Sequence, residues 1–242
     1  MSFIAETRAR RTGRLALGLL MLLAARSASA TVLYDGTVIP DAPDWIRFVP
    51  PPFASDSLGP DGVTLDTTFA NALQAGYARL DQTLDSADGF RLSFSVSLAS
   101  ESHGSADRAG FSVIVLDSVG RGLELGFWAN EVWAQNAGFT HGEGASWDTS
   151  GFTDYDLVFS GATYALLADG APLLSGALRD YSAFGAPYTL SNFLFFGDDT
   201  SSARAEVTLA SVSLTGVPEP ATGALLVGAF GVLALRPRRR RV

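Results

Sequence analysis

Residues 90–98 read Phe90-Arg91-Leu92-Ser93-Phe94-Ser95-Val96-Ser97-Leu98. Apolar side chains fill every second position, with Arg or Ser between them. Neighbouring side chains of a strand point to opposite faces, so a period of two predicts a strand with one face buried. The pattern spreads in both directions along the chain. Residues 108–117, carrying Phe111-Ser112-Val113-Ile114-Val115-Leu116, are more apolar and predict a central strand. Residues 123–128 alternate again, and 153–159, 192–197 and 205–214 complete the set, the last with an irregularity expected near Ala210-Ser211. Segments 164–168 and 172–174 flank Asp169-Gly170, a strong hairpin turn signal. Other turn pairs (Asp35-Gly36, Asp61-Gly62, Asp88-Gly89, Val119-Gly120, Ser160-Gly161, Gly197-Asp198) recur at short spacing. Many short strands so punctuated predict an all-β fold, an antiparallel sandwich. Residues 69–78 are the one stretch suited to a short helix, which Gly76 weakens. Pro50-Pro51-Pro52 predicts a surface loop between early strands.

Both ends read differently from this body. Arg8, Arg10, Arg11 and Arg14 precede an apolar run at 15–25, and Ala28-Ser29-Ala30 supplies small residues at a cleavage site. That is the layout of a secretory signal peptide over residues 1–30, cut after Ala30. Residues 217–242 hold Pro218-Glu219-Pro220, an apolar run at 221–235, and then Arg236, Arg238, Arg239, Arg240 and Arg241. Fifteen apolar residues fall short of the roughly 20 of a full membrane span. Arg236 extends the reach by snorkelling, and the Arg cluster favours the cytoplasmic side. A C-terminal transmembrane helix is therefore expected, with the prolines as its upstream limit.

The two ends each carry five Arg against one Glu, +4 apiece. The whole chain is −8, so residues 31–216 carry −16. A body this acidic repels nucleic acid, and nucleic-acid binding is excluded. The chain has no Lys, and with no Cys it has no thiol nucleophile, no disulfide and no Cys-ligated zinc. The 186 residues of 31–216 suit one domain that buries enough apolar surface to stand without disulfides.

The order Pro-Glu-Pro, apolar run, Arg cluster resembles the PEP-CTERM sorting signal of Gram-negative bacteria. The resemblance implies an exosortase as partner, membrane insertion through the tail, and delivery to the outer surface or extracellular matrix. A second resemblance lies within 108–214. Arg108-Ala109-Gly110-Phe111, Gly122-Leu123-Glu124-Leu125-Gly126-Phe127, Asp154-Tyr155-Asp156-Leu157, the segment around Asp169-Gly170, and Phe195-Phe196-Gly197-Asp198-Asp199 follow in order. That order is similar to concanavalin A-like jelly rolls of the laminin-G and choice-of-anchor types. The likeness implies architecture; such folds host lectins, glycosidases and inert spacers alike.

No catalytic set stands out. A glycosidase needs two carboxyls about 5–10 Å apart. Glucanase-type jelly rolls carry Glu-x-Asp-x-x-Glu on one strand, which is absent here. Glu124 and Glu131 lie around Phe127, Trp128 and Trp133, while Glu143 and Asp148 flank Trp147 in a Gly-rich loop. Trp128, Trp133 and Trp147 are candidate glycan-stacking residues, with core packing as the plainer reading. His103 and His141 sit in Gly-rich stretches without ligand spacing for a metal. Asp198 and Asp199 are candidate calcium ligands, with a tight acidic turn as the alternative; no other cofactor is expected. The expectation is a non-enzymatic surface or matrix protein associated with exopolysaccharide. The alternative is a secreted lectin or glycan-active hydrolase on the same fold.

Overall fold

A computed structural model describes residues 29–69 and 74–216. The described chain forms two eight-stranded antiparallel sheets packed face to face. The first sheet runs β13 (Ala171–Ala177), β12 (Thr163–Ala168), β11 (Thr153–Ser160), β6 (Phe90–His103), β16 (Ala203–Gly216), β4 (Gly62–Asp66), β3 (Ser55–Gly59). The short β1 (Thr31–Tyr34) pairs with β16 beyond the end of β4, with Thr31 opposite Leu214. The second sheet runs β10 (His141–Ser146), β9 (Glu131–Gln135), β8 (Arg121–Trp128), β7 (Ser112–Leu116), β15 (Phe193–Asp198), β5 (Ala75–Arg79), β2 (Ile46–Phe48). The two-residue β14 (Arg179–Asp180) pairs with β8 at Gly122 and Arg121.

The decisive stretch 90–98 lies within β6, the fourteen-residue strand paired along its length with β16. Phe90, Leu92, Phe94, Val96 and Leu98 enter the core, and the Arg and Ser positions between them face out. The opposing layer comes from Val113, Val115, Leu123, Leu125, Phe127, Leu194 and Phe196. Aromatic rings interlock across it: Phe94 stacks on Tyr155 at 5.3 Å and meets Phe127 and Phe196 edge-on. Such T-shaped and offset contacts contribute beyond the area they bury.

Local expectations hold in the hairpin and at the irregularity. Asp169 and Gly170 both take positive φ, 49° and 75°, as a two-residue hairpin turn requires. The β16–β6 register slips between Leu209 and Ser211. Three expectations are corrected. Residues 75–79 form the strand β5, not part of a helix, because Ala75 and Tyr77 are needed in the core and Gly76 lies flat against β15. The Gly-rich stretch 141–146 is the edge strand β10. The segment 121–128 is not half-buried; it is buried on both faces from Gly122 to Phe127. The expected transmembrane helix at 217–242 lies outside the described residues. Among the described residues no helix is long and apolar enough to cross a membrane.

Candidate active site on the outer face of the second sheet

Side chains of the second sheet that turn away from the core form ordered rows. Across one row, Glu124 of β8 stands opposite Ile114 of β7, with Gln135 of β9 one step past the Leu125–Ala134 pair on the other side. Ile114 in turn faces Phe195 of β15, which faces Ala78 of β5. The parallel row holds Trp133, Gly126, Ser112, Gly197 and Gly76. Glycine at 126 has a plain cause: a Cβ there would meet the Trp133 indole at 2.6 Å.

Segment 179–193 crosses this face and seals part of it. Ile114, Leu116 and Phe193 from the sheet, with Tyr181 and Tyr188 from the crossing segment, make a second small apolar cluster. Phe139 packs edge-on against Tyr188 and Phe184, and the Arg108 guanidinium lies 5.0 Å over the Phe139 ring. The Tyr181 hydroxyl donates to the Gln135 carbonyl at 2.7 Å and accepts from the Glu124 amide at 3.4 Å. The segment is thus fastened to the backbone of two adjacent strands.

Tyr188 organises the chemistry. Its hydroxyl lies 2.6 Å from Glu124 Oε2 and 3.1 Å from Asp199 Oδ2. Those two lengths bound the separation of the carboxyl oxygens at 5.7 Å. A phenol carries one proton, so hydrogen bonds to two carboxyls require a second proton on one of them. Burial, reinforced by the nearby Asp199 charge, raises Glu124 well above the usual carboxyl range. Burial also raises Asp199, against the opposing hydrogen bonds from Ser112 and Tyr188. Glu124 is raised the further of the two and is 2% exposed, while Asp199 is the member that reaches the cleft; the proton belongs to the pair.

Asp199 opens onto a cleft of about 300 Å³. Phe48, Phe193, Phe195, Ile114 and Pro187 form its apolar lining, and Gln74, Tyr188 and Asp199 its polar part. On the outward face of β9, the Trp133 indole N–H and Gln135 amide N–H are buried without a hydrogen-bond partner among the described residues. Buried donors of this kind call for an acceptor.

The residues singled out in the sequence fall into separate places. Asp198 ends β15 and Asp199 follows it, and the two hold different partners. Asp198 is fully buried, accepting from the Thr67 hydroxyl at 2.8 Å and the Thr200 amide at 3.1 Å, and burial pushes it up to about 8. The two do not converge, and among the described residues no group of three or more His, Asp or Glu is placed to hold a metal. Trp128 and Trp133 meet at 5.5 Å, sandwiched with His103 and His141. Trp128 donates to the Arg108 carbonyl and Trp133 is 1% exposed, so both pack rather than project. Trp147 lies apart, half-buried against the core and donating to Thr153. Glu131 pairs with His141, and Glu143 is held by Arg179 and by Tyr164 at 2.5 Å, clasping the β10 edge to β12. Ala30 is exposed just ahead of β1. Ala28, Pro218, Glu219, Pro220, Arg236, Arg238, Arg239, Arg240 and Arg241 lie outside the described residues.

Tyr188, Tyr181 and Gln135 were not anticipated. Pro187-Tyr188 carries no local signal, since its role depends on a segment folding across another sheet. Glu124 carried one: a carboxyl amid Leu123, Leu125 and Phe127, on a strand too apolar to leave a face in water.

No protein-family model matches the sequence, and no curated protein does. Solved structures do resemble it. A carbohydrate esterase of a Shiga toxin-encoding bacteriophage, phi24B, is 13% identical over 78% of this chain and 99% of its own, with a TM-score of 0.56. A Bacillus subtilis protein of unknown function with a galectin-like fold is 10% identical over 78% and 98%, TM-score 0.51. The Crh5 transglycosylase is 15% identical over 80% and 85%, TM-score 0.51. At these identities the likeness is one of fold. The expectation of a non-enzymatic surface protein is corrected at this point, because proteins sharing the sandwich include a carbohydrate esterase and a transglycosylase. What these structures show of the chain is its fold, a β-sandwich of the galectin-like, jelly-roll type.

Proposed function

We propose that the chain is a glycan-active enzyme whose cleft on the second sheet binds sugar and whose Asp199 performs proton transfer on it. The observation that carries this reading is the single Tyr188 hydroxyl between two carboxyls, one facing a cleft and one buried. A glycosidase of the usual kind places both carboxyls against the scissile bond. Here Glu124 is shut behind Tyr188, so it acts through Asp199. The proton moves from Glu124 to the Tyr188 oxygen as the Tyr188 proton moves to Asp199. Asp199 then gives it to the glycosidic oxygen as the C–O bond breaks. Water adds its hydroxyl to the anomeric carbon and returns a proton to the Asp199 carboxylate. The pair thus regains its proton from the water that hydrolyses the bond.

Export is part of the proposal. It is supported by the basic, apolar and small-residue order of residues 1–30 and by the PEP-CTERM-like tail with an exosortase as its partner. Intact mass of the protein recovered outside its host cell tests that part. A species beginning at Thr31 is expected, and an uncut N-terminus recovered only from membranes counts against it.

Catalysis is tested by reducing-sugar release from a polysaccharide panel. Asp199→Asn should lower turnover about 10²–10⁴-fold. Tyr188→Phe and Glu124→Gln should lower kcat and move the alkaline limb of the pH profile, where the donated proton is lost, while leaving KM near its original value. Undiminished turnover in Asp199→Asn overturns the assignment.

A further inference from the structure

The cleft beside Asp199 has aromatic walls, hydrogen-bonding groups and no cation among the described residues. Cations are scarce throughout the body. Residues 31–216 hold seven Arg and no Lys. Arg47, Arg79, Arg91 and Arg179 are paired with Asp56, Asp81, Asp156 and Glu143. Arg204 reaches the Thr68 carbonyl, and Arg121 lies in the strand that β14 edges. Arg108 acts at a distance on Glu124 and Asp199, but it donates to the Asp107 and Phe139 carbonyls and covers the Phe139 ring. Residues 70–73, next to Gln74 in the sequence, are Ala, Asn, Ala and Leu. The body around the cleft carries −16.

We infer that the cleft selects an uncharged glycan, laid with the apolar faces of its rings on Phe48 and Phe195, and rejects chains bearing uronate, sialate or sulfate. The inference rests on the glycan-active reading above. Phe48 is 56% exposed on the edge strand β2, so a ring face is on offer at the mouth of the cleft. A sugar hydroxyl can donate to the Asp199 carboxylate, a charge-assisted bond. A sugar carboxylate at the same place meets like charge with no cation to pair it, and desolvating it there is costly. The negative field also slows the approach of a polyanion, an effect screened within about 8 Å at physiological salt.

The test is binding of the full chain to two sets of polymers, at low and at physiological salt. The neutral set is laminarin, dextran, mannan and cello-oligosaccharides; the anionic set is alginate, polygalacturonate and hyaluronan. At least one neutral polymer should bind, and every polyanion should bind at least about tenfold more weakly, a gap of about 1.4 kcal/mol. Higher salt should narrow the gap. Gln74→Lys, at an exposed position, should narrow it further by raising polyanion binding, and Phe48→Ala should weaken neutral binding alone. A polyanion that binds as well as the best neutral polymer overturns the inference and leaves the glycan reading standing. Binding to neither set overturns the glycan reading, and the inference falls with it.

Discussion

The outer faces of the two sheets are built on opposite plans. Along β6, β11 and β16 buried and half-exposed residues alternate, and Ser93, Ser95, Asp154, Asp156 and Ser213 look outward. Along β7, β8, β9 and β15 nearly every residue is buried on either face. The first sheet behaves as an antiparallel sheet with one wet side. The second has gained a cover, segment 179–193, and beneath that cover lie polar groups that a core would not choose. A buried Glu124, and a Gln135 amide without a partner among the described residues, cost stability. Where a fold tolerates such groups, function is the first explanation to test.

Substitutions can break or sharpen this contrast. The largest effect is expected at Ile114, outward-facing yet 1% exposed. Ile114→Ala should cost about 2–5 kcal/mol in chemical denaturation. A loss below about 0.5 kcal/mol would mean that the cover is not packed as described.

The next is a pH effect. Burial raises Asp198 to about 8, above its unfolded value near the usual carboxyl range. The folded state then holds a proton that the unfolded chain releases. Stability from this group is full at low pH and is lost as pH rises towards about 8. The limiting slope is about 1.4 kcal/mol per pH unit. Asp198→Asn should flatten that part of the stability profile, and parallel profiles for the two proteins would refute the assignment.

Smaller again is Tyr181→Phe, which frees the cover from the backbone of β8 and β9. About 1–3 kcal/mol is expected, with faster amide exchange at Glu124 as the accompanying sign. Smallest is Ser95→Ala on the first sheet, within about 0.5 kcal/mol. A larger loss there would erase the distinction between the two faces.

The same contrast explains what the sequence disclosed. The first sheet was legible because water enforces alternation: 90–98, 153–159 and 205–214 could be read strand by strand and face by face. The second was legible only as strand, since a strand covered on both sides loses its period. The stretch 123–128 still looked alternating, because Glu124 and Gly126 sit between apolar neighbours, and the apparent wet face proved to be the covered site. The short strands β9 and β10 went unread, their Trp, Gly and His content resembling a loop. At the site, Asp199 was noticed as half of a calcium turn. Its partners come from β8 and from the segment around residue 188, contacts of long sequence separation that no local pattern encodes.

Thr31 and Leu214 are cross-strand partners, so the body begins and ends side by side on the first sheet, away from the face that carries the cleft. Chemically, such a body is nearly a closed ring. A short linker joining residue 216 to residue 31, with new ends opened between Asp169 and Gly170, should give a permuted protein that folds and keeps its cleft.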